Sequence, residues 1–160
     1  VHGVKIGLLI CEDAWFEQPA LDALHEGAQL LVVMNASPFH RGKSLEREQA
    51  MQARCLATGL PLVYAHLVGA QDEVVFEGRS FALQADGEVA GRAPGFVEHA
   101  FEVSCVMKAG RLALSAHQAE VADDLSDFWQ ALLIVYVITL VKTGFPQCYW
   151  VCQVASTQRW

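Results

Sequence analysis

Three short, largely apolar runs frame this chain: residues 4–10, 30–34 and 61–67. Each has the length of a strand and lacks polar alternation, so each reads as a strand buried on both faces. Between the first two, Pro19 can open a helix that carries Leu21, Leu24 and Ala28 on its apolar side, with Gly27 near its end. Between the second and third, Ser44 reads as the N-cap of a helix running to about Thr58, closed by Gly59. Two successive strand–helix–strand passes, each about 30 residues long, imply parallel pairing.

From Val74 onward the pattern changes. Phe76-Glu77-Gly78, Ala85-Asp86-Gly87-Glu88 and Ala93-Pro94-Gly95 are turn signals between short alternating runs. Residues 81–84, 89–92 and 97–106 are therefore expected as strands in antiparallel hairpins. Parallel units followed by a meander describe an α/β layer sandwich with a mixed sheet. Residues 112–124 read as a linker and helix start, with Asp123, Asp124 and Asp127 where a helix N-terminus favours negative charge. Residues 128–141 have helical length. The apolar run 131–141 is about half of the ~20 residues that a membrane-spanning helix needs, so a buried or frayed helix is expected there.

Composition narrows the function. Hydrophobic residues make up 53% and charged residues 18%, too apolar a balance for a disordered chain. A formal net charge of −7, with no Lys/Arg stripe, argues against nucleic-acid and anionic-membrane partners. The five cysteines are odd in number and irregular in spacing, and residues 1–10 carry no secretory signal. A reducing cytoplasm is the expected compartment. The six histidines are scattered and form no metal-ligand spacing with cysteine, so no metal site is expected.

Cys11 stands where the first strand ends. Ligands of parallel α/β sheets gather at the carboxyl ends of strands. A thiol there, next to the backbone N–H groups of a turn, can act as a nucleophile and hold a developing oxyanion. The plainer alternative is a small buried hydrophobe. Glu12 and Asp13 follow directly, and acids after an apolar strand are either solvated turn residues or groups that orient something. The G-x-S-x-G elbow of an α/β-hydrolase is absent.

The segment Leu8-Leu9-Ile10-Cys11-Glu12-Asp13-Ala14-Trp15 resembles the nucleophile strand of the nitrilase, or carbon–nitrogen hydrolase, superfamily. Asn35-Ala36-Ser37-Pro38-Phe39-His40-Arg41-Gly42-Lys43 follows at the distance expected for that fold. Residues 68–80 resemble, more narrowly, the amidase domain of the glutamine-dependent NAD⁺ synthetase family. The resemblance covers residues 3–106 and implies part of a nitrilase-like α-β-β-α sandwich. It implies that Cys11 attacks the side-chain amide of glutamine to give a thioester and ammonia. Ser37 and Lys43 match positions that hold the substrate, and Glu12 and Trp15 are further candidates for lining its pocket. The family also uses a Glu base and a Lys that stabilises the oxyanion, both from strands preceding the nucleophile. Only ten residues precede Cys11, so both are expected upstream of this chain; Lys5, Glu12 and Glu17 do not match them.

In the synthetase family the amidase domain runs into a domain opened by a helix, a strand and a Ser-Gly-Gly-x-Asp-Ser phosphate-binding loop. Residues 128–132 and 142–147 resemble that opening, and the match stops at Cys148. A nucleotide string encoding VLLGLSGGIDSAL, read one base later, encodes the whole of residues 148–160. The expected division is thus 1–110 as the C-terminal half of a hydrolase domain, 111–147 as linker and start of a synthetase domain, and 148–160 as a frameshifted tail. No cofactor is expected in this chain, with ATP and Mg²⁺ belonging to the absent synthetase domain. The resemblance also implies homo-oligomers. Two other readings stand beside it: a catalytically inactive remnant, and a carbon–nitrogen hydrolase acting on another small amide.

Overall fold

The computed structural model describes residues 3–143 apart from 73 and 109, with side chains as far as residue 138. Residues 148–160, expected as a frameshifted tail, lie outside the described residues. Strand β1 (Ile6–Ile10) runs into a 3₁₀ turn, Cys11–Trp15, followed by α1 (Glu17–His25), β2 (Leu30–Asn35), α2 (Lys43–Thr58) and β3 (Leu62–His66). These are the two expected βαβ passes. β1, β2 and β3 pair in parallel, with Leu8 beside Val32 and Val32 beside Val63.

Next come a hairpin of β4 (Val68–Gln71) and β5 (Val74–Glu77), then β6 (Phe81–Leu83) and β7 (Val89–Arg92). β6 pairs antiparallel to β3, and β7 antiparallel to β6. The result is a five-stranded mixed sheet in the order β1-β2-β3-β6-β7. Mixed α/β architecture is what the sequence led us to expect. The β4–β5 hairpin was not anticipated: Phe76-Glu77-Gly78 was read as a turn signal, whereas Phe76 and Glu77 end β5.

α1 and α2 cover one face of the sheet, where Leu9, Leu31, Val33, Met51, Leu62 and Tyr64 are buried. Gly7 allows this contact, since a Cβ on it would meet the Ala23 Cβ at 2.7 Å. The other face is covered by a hairpin of β8 (Val103–Lys108) and β9 (Arg111–Ala116), whose Leu112 and Leu114 pack on Leu30, Ala82 and Val63. β9 comes so close to β7 that a Cβ on Gly91 would lie 2.5 Å from that of Ala116.

Several local expectations need correction. Residues 111–116, read as the start of a linker, form β9, because their alternating Leu residues serve as the underside of the second layer. Residues 97–102, expected within a strand, are irregular, and the strand begins only at Val103. Ser44 does not cap α2. The N-cap is Gly42 with φ 75°, and the Ser44 hydroxyl donates to Glu77 instead. Nor are the parallel strands buried on both faces throughout. The β8–β9 layer reaches Ile6, Leu30 and Val32, but leaves Leu8 63% and Ile10 60% exposed further along.

α3 (Asp124–Thr143) closes the described chain. Its N-terminus fits the acidic pattern: the Asp123 carboxylate accepts the backbone N–H groups of Leu125 and Ser126 at 2.9 and 2.8 Å. Those hydrogen bonds hold the carboxyl below the usual carboxylate range. Among the described residues no helix is long and apolar enough to cross a membrane.

Candidate active site

The carboxyl ends of β1, β2 and β3 lie side by side, and parallel register decides what they present. Asn35 at the end of β2 is paired with His66 at the end of β3. Ile10 is paired with Met34, so Cys11 follows β1 at the level where Asn35 ends β2. Side chains alternate along strands, which puts Asn35 and His66 on the helix-covered face with Val33 and Tyr64. Three chain segments far apart in sequence thus converge on one edge.

Cys11 is exposed and holds φ 49°, the left-handed region that non-glycine residues enter at a cost of about 1–3 kcal/mol. The turn after it is closed by Asp13, whose carboxylate accepts the Ile10 backbone N–H at 3.0 Å. Glu12 stays exposed. Of the two acids after the strand, Asp13 is therefore a turn residue and Glu12 remains free to face a ligand. Among the described residues the Cys11 sulfur makes no hydrogen bond, and the Tyr64 hydroxyl feels a charge on it. Burial is the main cause that pushes the Tyr64 hydroxyl above its ordinary range.

Ser37 sits in the loop after β2. Its Oγ accepts a hydrogen bond from the Asn35 amide at 2.8 Å and lies 3.4 Å from His66 Nε2. The loop is anchored by the Phe39 N–H donating to the Val75 carbonyl at 2.7 Å and by an edge-on contact of the Phe39 and Phe96 rings. Lys43 opens α2. Its Nζ lies 4.4 Å from the Trp15 ring centroid and 2.9 Å from Glu46. The structure thus joins Trp15 to Lys43 and leaves Trp15 a wall for that ammonium, an arrangement worth about 0.5–1 kcal/mol at a partly exposed position.

Behind these residues is a pair that sequence reasoning missed. Arg47 of α2 and Glu77 of β5 are 2% and 0% exposed and form an ion pair, which the Ser44 hydroxyl joins at 3.0 Å. His66 is nearly buried beside them. Its pKa is lowered by burial and by the Arg47 guanidinium, against a smaller opposing pull from Glu77. The ring is neutral near pH 7. Tyr64 stacks between His66 and Phe81, with interplanar angles of 12° and 9°. Sequence reading had treated His66 as an ordinary histidine, and only its position at the end of an apolar strand marked it. Arg47 carried a signal too, being a charged residue on the helix face that also bears Met51 and Cys55.

A cavity of about 410 Å³ opens between α2, β7 and the start of α3. Arg47, Arg79 and Arg92 line it, and each is matched by an acid: Glu77, Asp127 and Glu48. Cys11 and Ser37 do not line it, so the sulfur faces solvent outside this cavity.

Comparison with known proteins bears on this arrangement. The carbon-nitrogen hydrolase family model matches residues 1–107. The glutamine-dependent NAD(+) synthetase of Rhodobacter capsulatus is 37% identical over 147 residues, covering 90% of this chain and 26% of that protein. The solved glutamine-dependent NAD+ synthetase of Acinetobacter baumannii, in complex with adenosine diphosphate, superposes with a TM-score of 0.80 at 29% identity. That match covers 91% of this chain and 28% of the other. A carbon-nitrogen hydrolase from Helicobacter pylori G27 gives a TM-score of 0.56 at 26% identity, over 59% of this chain and 38% of that one. The chain spans about a quarter of the length of the synthetases it matches.

Proposed function

The chain belongs to the carbon–nitrogen hydrolase family, and from that premise we propose that Cys11 hydrolyses the side-chain amide of glutamine. The observation that carries this reading is the strained, exposed thiol at the carboxyl end of β1, one strand away from the Asn35–Ser37–His66 hydrogen bonds. The sulfur attacks the amide carbon and a C–S bond forms. The C–N bond breaks, the departing nitrogen takes up a proton, and ammonia leaves. Water then cleaves the thioester and releases glutamate. Splitting the hydrolysis in two suits an amide, whose direct attack by water is slow.

Ser37 and Lys43 hold the polar groups at the far end of the substrate, a hydroxyl and an ammonium being suited to an amino acid's charged backbone groups. Glu12 and Trp15 complete that wall. The ammonia serves ATP-dependent conversion of deamido-NAD⁺ to NAD⁺ in a longer protein, of which this chain corresponds to the C-terminal half of the glutaminase domain. The relatives named for glutamine-dependent NAD⁺ synthesis support this substrate over another small amide.

A catalytically inert unit is the second reading, and it has one observation in its favour. Among the described residues neither a carboxylate nor a lysine is hydrogen-bonded to Cys11, which leaves base and oxyanion donor to be supplied from elsewhere. One experiment separates the readings: glutamate release from glutamine by the longer protein to which this chain corresponds in part, with hydroxylamine to intercept a thioester, compared with Cys11→Ala; the isolated chain is expected to be inactive. Turnover abolished by the substitution is the expected result. A longer protein that releases no glutamate and traps no hydroxamate overturns the hydrolase reading in favour of the inert one.

A further inference from the structure

Ser37 can offer a ligand either a hydrogen or a lone pair, and its neighbours decide which. A hydroxyl has one proton and two lone pairs. The Asn35 amide nitrogen, 2.8 Å away, occupies one lone pair. The reverse orientation of that amide would bury its NH₂ where the Asn35 Oδ1 now stands without a partner. Buried N–H groups without an acceptor are rarer than buried oxygens without a donor, so the nitrogen faces Ser37.

The same reasoning fixes the imidazole. A neutral ring carries one proton, on either nitrogen. His66 Nδ1 is buried and makes no hydrogen bond, whereas Nε2 faces the Ser37 oxygen at 3.4 Å. The backbone carbonyls of Ser37 and Gly78 also lie near the ring and favour a protonated nitrogen; within hydrogen-bond geometry a proton on Nδ1 has no acceptor, and one on Nε2 has the Ser37 oxygen. The ring is held for this contact by Tyr64 stacked on its face and by its own backbone N–H donating to Ser80 Oγ at 3.0 Å.

We propose that His66 is a positioning residue for Ser37: together with Asn35 it takes both lone pairs of the hydroxyl, leaving its proton as the one group Ser37 presents to a ligand. Ser37 then selects an acceptor on the ligand and offers nothing to a cation. The chemical class it takes at that end is a carboxylate or carbonyl oxygen. This rests on the glutaminase reading for the identity of the ligand, and on geometry alone for the polarity of the hydroxyl.

Two measurements test it. A long-range ¹H–¹⁵N spectrum of the labelled chain reports which ring nitrogen of His66 is protonated, with the resonance assigned by its loss in His66→Gln. Protonated Nε2 is expected; protonated Nδ1 overturns the proposal whether or not glutamine binds. Calorimetry then compares glutamine, glutaramate (which keeps the carboxylate) and γ-aminobutyramide (which keeps the amine). One neutral hydrogen bond gives a loss of about 3- to 10-fold, so His66→Leu weakens glutamine and glutaramate by that factor and leaves γ-aminobutyramide unchanged. His66→Gln returns an N–H to the Nε2 position and restores binding to within about 2-fold. Equal losses for all three ligands, or a loss confined to the amine, overturn the proposal. No binding of any ligand to the unsubstituted chain sinks the glutaminase reading instead, and the spectrum still decides the state of His66.

Discussion

The two faces of the central sheet use nearly the same residues to different ends. Facing α1 and α2, Leu9, Leu31, Val33 and Leu62 are buried, and the strands then deliver Asn35 and His66 to the site. On the opposite face the β8–β9 hairpin covers only the beginnings of the parallel strands, so Leu8, Ile10 and Met34 meet solvent beside Cys11. Apolar character therefore says that a strand can be covered on both faces. It does not say how far the covering layer extends.

The helix-covered face is also where charge is most tightly held, and there the largest effect is expected. Arg47→Met leaves Glu77 charged and nearly sealed from water, which costs about 3–5 kcal/mol in chemical denaturation. Pairing it with Glu77→Leu recovers most of that loss, because no buried charge then lacks a partner. A double variant as unstable as the single would mean that the ion pair itself, rather than its breakage, carries the stability.

The contrast between faces is sharpened by deleting equal volumes on each. Leu31→Ala in the helix-facing core costs about 2–5 kcal/mol, while Leu8→Ala on the bare face stays within about 0.5 kcal/mol. Equal losses in denaturant titrations would erase the distinction.

A smaller effect comes from Cys55, whose thiol burial pushes from 9.0 up to about 12. In the unfolded chain this thiol loses its proton at lower pH than in the folded one. Stability therefore falls as pH rises from about 9 toward about 12, by at most ~1.4 kcal/mol per pH unit. Alkylation at pH 8 follows the same division, modifying exposed Cys11 and Cys105 and sparing Cys55. Rapid labelling of Cys55 would show that the helix-covered face opens to solvent.

The βαβ frame was legible because local signals agree with it: apolar runs of strand length, Pro19 and Gly27 around one helix, and Gly59, with φ 66°, ending the other. The position of Cys11 was legible for the same reason, at the end of such a run. The wall of the site was only half visible. Ser37 in the loop after β2 and Lys43 at the start of α2 belong to a residue pattern that could be matched, whereas His66 is paired with Asn35 across 31 positions of sequence and Glu77 meets Arg47 across 30. No periodicity predicts such meetings. Asn35, read as the first loop residue, proved to be the last residue of β2, and that one-residue difference puts its amide against Ser37.

Sequence alone determined the parallel α/β scaffold and the place of Cys11 on it, because periodicity and turn chemistry act within a few residues. The reach of the β8–β9 layer, the burial of Arg47 and Glu77, and the conjunction of Asn35, Ser37 and His66 were decided by the tertiary fold. Their physical cause is strand register, which adds the geometry of two segments whose sequences carry no information about each other.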